Sequence, residues 1–521
     1  MRHKLMLPKI AVLLVCASCS ALPTSRDRDS APIPSDPPAT AYDFQSVEAN
    51  VRAAVESGQF PSAAFAIARN GQVIYENALG WGDKEKQVAS TAHMPYPLAS
   101  MSKPIVATAL MILHERGRID LDAPAWRYSG NWFSHFAPES LPRYSVRQLL
   151  NHTSGLGTYA RIYWRDQNHP VRSLEESFRK YGIVAQPPGA VSEYSNLGYG
   201  LLGHIVEQQS GTSLAEFLTT DVFAPLGMKD SKLVDSFSTP AGAAQKYDAS
   251  GKLLAETYND TPGAGNIYAS AHDLALFGAF HLGGEAGGKP PILSRQSRLL
   301  MRSFVDPGAR YPYYNSSRYG LGWYFRTNAQ GEEVVWHEGG MPGASSIVLL
   351  LPRHNIVAAV VINATDANPH AETVANALVQ AVEPDYRPVS FDAAEGFNRF
   401  TNQPELLGRW EGSIAVDGKD VPWALDFGAD GSVRAEFPQR AADSLLPAQA
   451  TFPMLVNGDL LLATFAATLP ASDVAQTPDN YVLLRLLRRG DELSGTAIAY
   501  ATEQRLEHLY PFAARLRRKT R

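Results

Sequence analysis

The sequence predicts an α+β protein: an antiparallel sheet with flanking helices and an all-helical subdomain, followed by a C-terminal antiparallel β-barrel. Three observations lead there. Two strand-like segments stand early, a long helical middle follows, and strand-like segments return before residue 365, so both ends of that region complete one sheet. After Leu406 the pattern changes to short alternating runs separated by turns. The 521 residues, 45% hydrophobic and 19% charged, suffice for more than one core.

Taken in order, Phe44 to Gly58 reads as helix. Ala63 to Arg69 and Val73 to Leu79 read as a hairpin turning at Asn70-Gly71. Helices are expected at 101–116, 146–151, 197–210, 213–220, 271–282 and 371–382, and strands at 333–337, 346–352 and 356–363. The patterning lapses around 385–400. Alternating runs then follow at Trp410 to Val416, Trp423 to Phe427, Val433 to Phe437, Leu460 to Phe465, Val482 to Leu487 and Gly495 to Ala499, with turns such as Asp417-Gly418, Asp430-Gly431 and Asn457-Gly458. The basic end, Arg515, Arg517, Arg518, Lys519 and Arg521, reads as a solvated terminus. The expected organisation is a signal at 1–19, a Pro/Ser-rich tether at 20–42, a first domain at 43–388, a linker at 389–402 and a separately folding β-domain at 403–517.

The front of the chain has an address of its own. Arg2, Lys4 and Lys9 form a positive region, Ile10 to Val15 a short apolar one, and the small residues Ala17-Ser18 precede Cys19. Small residues before a cysteine resemble the lipobox of bacterial lipoproteins. That likeness implies lipidation of Cys19 and a membrane-anchored, periplasmic protein of a Gram-negative bacterium; a plain secretory signal is the alternative. A formal net charge of −5 and the lack of a basic stripe exclude a nucleic-acid partner. None of the 13 histidines stands in a His-x-His or His-Glu-x-x-His spacing, the two cysteines form no cluster, and no Gly-rich phosphate loop follows a strand. The expectation is a site without metal or cofactor.

The chemistry is carried by Ser100-Met101-Ser102-Lys103 at the head of the apolar run Ile105 to Leu113. On a helix, Ser100 and Lys103 lie one turn apart on one side. A lysine whose pKa is lowered by burial can take the serine proton, and the helix N-terminus favours the developing oxyanion. A second match, Ser177-Phe178-Arg179-Lys180, runs into Gly182 and Pro187-Pro188-Gly189 and lacks a long helix. Tyr194-Ser195-Asn196 precedes another helical stretch; the phenol can shuttle a proton, and the amide can donate to substrate and accept from the lysine. The decoy Tyr313-Tyr314-Asn315 has no following helix. His337-Glu338-Gly339-Gly340 ends a strand, where glycines let backbone approach substrate and Gly340 can offer an oxyanion N–H beside that of Ser100. His152 reads as structural, bonding a loop near the cleft.

Ser100-x-x-Lys103, Tyr194-x-Asn196 and His337-x-Gly339 occur in the order of the serine β-lactamase and penicillin-binding protein superfamily. The chain resembles its branch of class C β-lactamases, D,D-peptidases, D-aminopeptidases and esterases. Val146 to Leu156, Ala224-Pro225-Leu226-Gly227-Met228 and Tyr319-Gly320-Leu321-Gly322-Trp323 extend the likeness over about residues 45 to 365. It implies a β-lactamase/transpeptidase-like first domain, with Ser100 as acylated nucleophile, Lys103 and Tyr194 in proton transfer, Asn196 as polar clamp, and Gly339 and Gly340 at the oxyanion side. Leu407-Gly408-Arg409-Trp410 resembles the start of lipocalin-like barrels. His337 stands where the family has the lysine of Lys-Thr-Gly, which pairs with a substrate carboxylate. With an ordinary pKa near 6.5 the imidazole is mostly neutral at pH 7 and gains charge toward pH 6; it is expected within reach of Tyr194 or of the substrate's end. The resemblance thus implies an exported serine hydrolase acting on a D-amino-acid peptide or small ester, cell-wall material among the candidate substrates. A true β-lactamase or D,D-carboxypeptidase is the alternative, and a catalytically idle binding lipoprotein the rival from another class.

Overall fold

The computed structural model describes residues 42–519 except 134–142, 168, 285–290, 311–317, 390–397, 439–444, 450–452, 475–479 and 502–507. The expected signal, Cys19, most of the tether and the Tyr313-Tyr314-Asn315 decoy lie outside the described residues. From Tyr42 onward the chain forms one compact unit.

Eight antiparallel strands form the first sheet, in the order Val88–Ala89, Gln72–Asp83, Ser62–Arg69, Ile356–Ile362, Ala344–Leu351, Glu333–Met341, Tyr324–Thr327 and Arg318–Tyr319. Early and late strands meet at its centre, where Ala63 pairs with Ile362 and Arg69 with Ile356. Alternation sets what each face touches. Ala64, Ala66 and Ala68 face one core, whereas Ala63, Phe65 and Ile67 face another beneath the helices Gln45–Glu56 and Asn368–Val382. Small alanines on the first face let helix Ala271–Leu282 lie close. The hairpin turn places Asn70 at φ 50° and Gly71 at φ 82°, the pair of left-handed residues such a turn demands.

Helix Ser102–Glu115 is buried from Ser102 through Leu113 and packs against the helices Asn196–Ser210 and Pro262–Gly265. A helix apolar on all sides belongs at the centre of a core, and this one carries the first motif there. The helix expected at 213–220 is split into Leu214–Phe217, a wider-pitched turn Leu218–Phe223 and Ala224–Leu226, which Gly227 ends at φ 75°. No described helix is long and apolar enough to cross a membrane.

The C-terminal strands make an antiparallel sheet curled into a half-barrel. Its order is Asn398–Arg399, Leu455–Asn457, Leu460–Ala466, Asn480–Arg489, Glu492–Ala501, His508–Arg518, Gly408–Val416, Lys419–Phe427, Val433–Pro438 and Leu445–Gln449. This corrects the reading of the basic end as a solvated terminus. His508–Arg518 is an interior strand, with Tyr510, Phe512, Ala514 and Leu516 buried and Arg515 and Arg517 turned outward. Its first residues pair with a strand of the preceding region, His508 with Arg161 and Leu509 with Ala160, and that strand, Ala160–Trp164, pairs on with Thr257–Asn259.

Candidate active site

The turn that presents Ser100 is fixed from both sides. Tyr96–Pro97 pairs with Tyr268 and Ala269, and the Leu98 N–H donates to the Ile267 carbonyl at 2.9 Å. Ala99 then enters the left-handed region at φ 49°, a strained conformation for a residue with a Cβ, and a 3₁₀ turn Ala99–Met101 leads into the helix. Ser102 Oγ is buried and accepts from the Ile267 N–H at 3.2 Å, which separates it from Ser100 in the cleft.

Lys103 Nζ donates to Ser100 Oγ at 3.0 Å and to the Ala264 carbonyl at 2.9 Å. The lysine is wholly buried, and desolvation pulls its pKa well below the ordinary lysine value. The nitrogen lies 4.6 Å from the Tyr194 ring centroid and 5.7 Å from that of Tyr199. The second acceptor of Lys103 is therefore Ala264, not Asn196 as the sequence suggested. The Asn196 amide instead donates to the Tyr159 carbonyl at 2.6 Å while lining the cavity that holds Ser100 and Tyr194.

Tyr194 is held through its neighbours. Thr158 Oγ1 donates to its carbonyl at 2.8 Å, and the Ser195 N–H donates to His152 Nδ1 at 3.1 Å. Ser195 Oγ caps the helix by accepting from the Gly198 N–H. His152 thus bonds the segment that carries the second motif, its ring 4.4 Å from that of Tyr194. The rejected serine–lysine pair has other employment: Ser177 Oγ donates to Asp260 at 2.5 Å, and Lys180 pairs with Asp473 at 2.8 Å.

The strand Glu333–Met341 runs against the Ser100 turn. A Cβ on Gly339 would fall 2.0 Å from the Leu98 carbonyl oxygen and 3.0 Å from the Met101 nitrogen, so only glycine permits this approach. Ser346 Oγ ties the next strand to the Leu98 carbonyl at 2.8 Å. His337 is buried; Nδ1–H donates to the Glu338 carbonyl at 2.7 Å, leaving Nε2 to accept from the Tyr319 hydroxyl at 3.0 Å. Its protein partner is Tyr319, not Tyr194. Burial, the largest cause, pulls its pKa down to about 3. The gain of charge near pH 6 expected from the sequence is thereby corrected: the imidazole stays neutral far below that.

Two cavities, each of about 410 Å³, share Ser100, Thr158, Tyr194 and Gly340. The first also holds Asn196, the second His337. The half-barrel forms part of both walls, through Tyr500, His508 and Leu509 in the first and Arg485 in the second. Arg485 Nη1 donates to Thr158 Oγ1 at 2.6 Å and lies 3.5 Å from Glu193, whose carboxylate accepts from the Thr158 N–H and from Thr496 Oγ1, each at 3.0 Å. Sequence reasoning missed these wall residues and the Ala264 carbonyl. Arg485, a lone charge inside the apolar run Val482 to Leu487, was the one local signal available.

The sequence model of the Beta-lactamase family matches residues 47–383. Penicillin-binding protein 4* of Bacillus subtilis (strain 168) is 25% identical over 315 residues, 56% of this chain; the alignment spans 66% of that relative's length, just short of two thirds. The structure of SurE with D-Leu superposes with a TM-score of 0.62 at 19% identity, over 90% of this chain and 99% of that one. The D-amino acid amidase from Ochrobactrum anthropi SV3 gives 0.53 at 23% identity, over 65% and 98%. With its family model matching residues 47–383, this chain belongs to the Beta-lactamase family, a serine hydrolase family of the β-lactamase and penicillin-binding protein fold.

Proposed function

We propose that the protein is an exported hydrolase that cleaves an amide or ester bond of a D-amino-acid derivative or a small ester through an acyl-enzyme on Ser100. One observation carries this reading: a fully buried lysine amine, its pKa pulled well below the ordinary lysine value by desolvation, 3.0 Å from the Ser100 hydroxyl. Lys103 takes the hydroxyl proton as Oγ bonds the substrate carbonyl carbon. The oxyanion is met by the N–H groups of Ser100 and Gly340. Tyr194, against the lysine nitrogen, relays the proton to the departing amine or alcohol, and the C–N or C–O bond breaks. Water then attacks the ester on Ser100 with the same groups acting in reverse. Asn196 and the two cavity walls position the acyl chain.

Neutral His337 favours substrates without a carboxylate at that end. Arg485, a cation lining the second cavity, already faces Glu193, so the pair brings no net charge to bind an anion. This weighs against the β-lactamase and D,D-carboxypeptidase readings. Burying a lysine amine beside a serine is costly and serves no scaffold, which weighs against the idle lipoprotein. The D-amino acid amidase among the structural neighbours supports the substrate class proposed.

A panel of p-nitrophenyl esters, D-amino-acid amides and a chromogenic cephalosporin tests the reading with wild type and Ser100→Ala. Expected are turnover of esters or D-amides, a fluorophosphonate adduct on Ser100, and a rate loss of several orders of magnitude in the variant. Labelling that survives Ser100→Ala overturns it. Export and lipidation at Cys19 are part of the proposal: the wild type partitions with membranes and Cys19→Ala does not.

A further inference from the structure

Outside the linings of both cavities, three residues distant in sequence converge. Glu76 lies on the strand Gln72–Asp83, His93 on the loop leading to Tyr96–Pro97, and His272 in the first turn of helix Ala271–Leu282. Their donor atoms all lie within 4.8 Å of one another. We propose that Glu76, His93 and His272 form a binding site for a divalent transition-metal cation, zinc by the chemistry of its donors. No spacing in the sequence announces it, because each ligand comes from a different segment.

The geometry supports coordination. His93 Nε2 stands 3.3 Å from Glu76 Oε1, the edge length of a tetrahedron with bonds of about 2.0–2.1 Å. His272 Nδ1 meets the other carboxylate oxygen at 2.6 Å, a hydrogen-bond contact in which a cation replaces the shared proton and the pair opens by less than about 1 Å. The two imidazole rings face each other at 4.4 Å. Behind His93, Asp230 Oδ2 accepts from Nδ1–H at 2.9 Å and is itself held by Ser270 Oγ at 3.1 Å. That arrangement fixes the tautomer with Nε2 directed at Glu76, as an outer carboxylate does behind a metal-ligating histidine. The His272 N–H donates to the Ala92 carbonyl at 3.2 Å, so two of the three ligand segments are already joined by backbone.

Two imidazoles and one carboxylate suit zinc and its neighbours rather than calcium or magnesium, which prefer oxygen-only shells. The His93 side chain is 55% exposed, leaving a fourth position for water and a path for the ion. Bound metal would tie the hairpin strand and the helix N-terminus to the loop seven residues before Ser100. It belongs to the folded state and leaves the serine chemistry to its own residues.

Chelator-treated full-length protein titrated with zinc by calorimetry, and with cobalt followed by visible absorption, tests the site. Expected are one zinc per chain, a four-coordinate cobalt spectrum, and a melting midpoint that rises with zinc concentration. His93→Ala, His272→Ala and Glu76→Gln each abolish the spectrum, while Asp230→Asn weakens binding about 10- to 100-fold. Absence of saturable binding by folded wild type overturns the proposal. So does stoichiometric binding that persists in the His93→Ala/His272→Ala double variant. His93→Gln and His272→Gln, which keep a polar side chain on the surface, replace any alanine variant that fails to fold and must lose the spectrum equally.

Discussion

The Lys103 pKa is pulled well below the ordinary lysine value by the matter around it, since desolvation is the cause of the shift. That ties activity and stability to pH in the same direction. Catalysis rises with pH as the amine loses its proton, along a limb well below the ordinary lysine range, and His337, neutral down to about 3, adds no limb between pH 5 and 8. For stability, a base whose folded pKa is lowered binds a proton only when unfolded across the window from its folded pKa up to about 10.5. Stability therefore increases with pH there, by up to about 1.4 kcal/mol per unit for one proton. Lys103→Met should abolish turnover and flatten that slope, as urea unfolding across a pH series would read; an unchanged slope would mean Lys103 keeps its proton when folded. His337→Lys should favour carboxylate-bearing substrates, because a charge-assisted hydrogen bond is worth roughly 1.5–3 kcal/mol. The rate ratio of cephalosporin to neutral ester should rise about ten- to a hundredfold; an unchanged ratio, with wild type already hydrolysing cephalosporins well, restores the β-lactamase reading.

The strand Glu333–Met341 acts on Ser100 by contact of backbone with backbone. Gly339→Ala puts a methyl group into the Leu98 carbonyl, and neither partner is a flexible side-chain end. The strand must shift, and displacement of about 1 Å near a nucleophile lowers rate on the order of a hundredfold. Expected are that loss in kcat/KM and a stability loss of about 1–3 kcal/mol; wild-type kinetics would show the approach to be dispensable. Elements with a clean period were legible in the sequence. The Asn70-Gly71 hairpin, the helix after Ser100 and the three late strands formed where their patterns placed them. His508–Arg518 was not, because its outward arginines resemble a frayed basic tail and only pairing on both sides makes it interior. Ala160–Trp164 likewise owes its strand to partners far along the chain. The three motif clusters could be read because each is a run of consecutive residues, and the Ala264 carbonyl and the cavity walls could not because tertiary contact alone brings them in.

On the scale of the whole molecule, the half-barrel is bound to the catalytic region by buried polar groups as well as by apolar packing. Tyr181 stacks on Tyr510 at 4.5 Å, Arg172 pairs with Asp473, and Gln186 donates to the Ser494 carbonyl at 2.6 Å. A protease cut in the expected linker at 389–402 should leave two fragments that co-elute, and their separation on a sizing column would show this interface to be weak. The Glu193–Arg485 pair is the sharper test, since it joins the two regions at the cleft itself. The side chains are 2% and 9% exposed, so removing one partner strands the other charge out of water. Arg485→Met alone leaves the Glu193 carboxylate with Thr158 and Thr496 but no counter-ion, and should cost about 3–5 kcal/mol. Glu193→Gln alone removes the carboxylate that the guanidinium faces and should cost a similar amount. The double variant buries no charge, so its loss should be much smaller than the sum of the two, and the difference is the coupling energy. Denaturant unfolding of the four proteins measures it. Additive losses would mean that water reaches the pair and the half-barrel stands off the cleft. Strong coupling, with turnover depressed in the single variants and partly restored in the double, would place the C-terminal sheet in the wall against which the substrate is held.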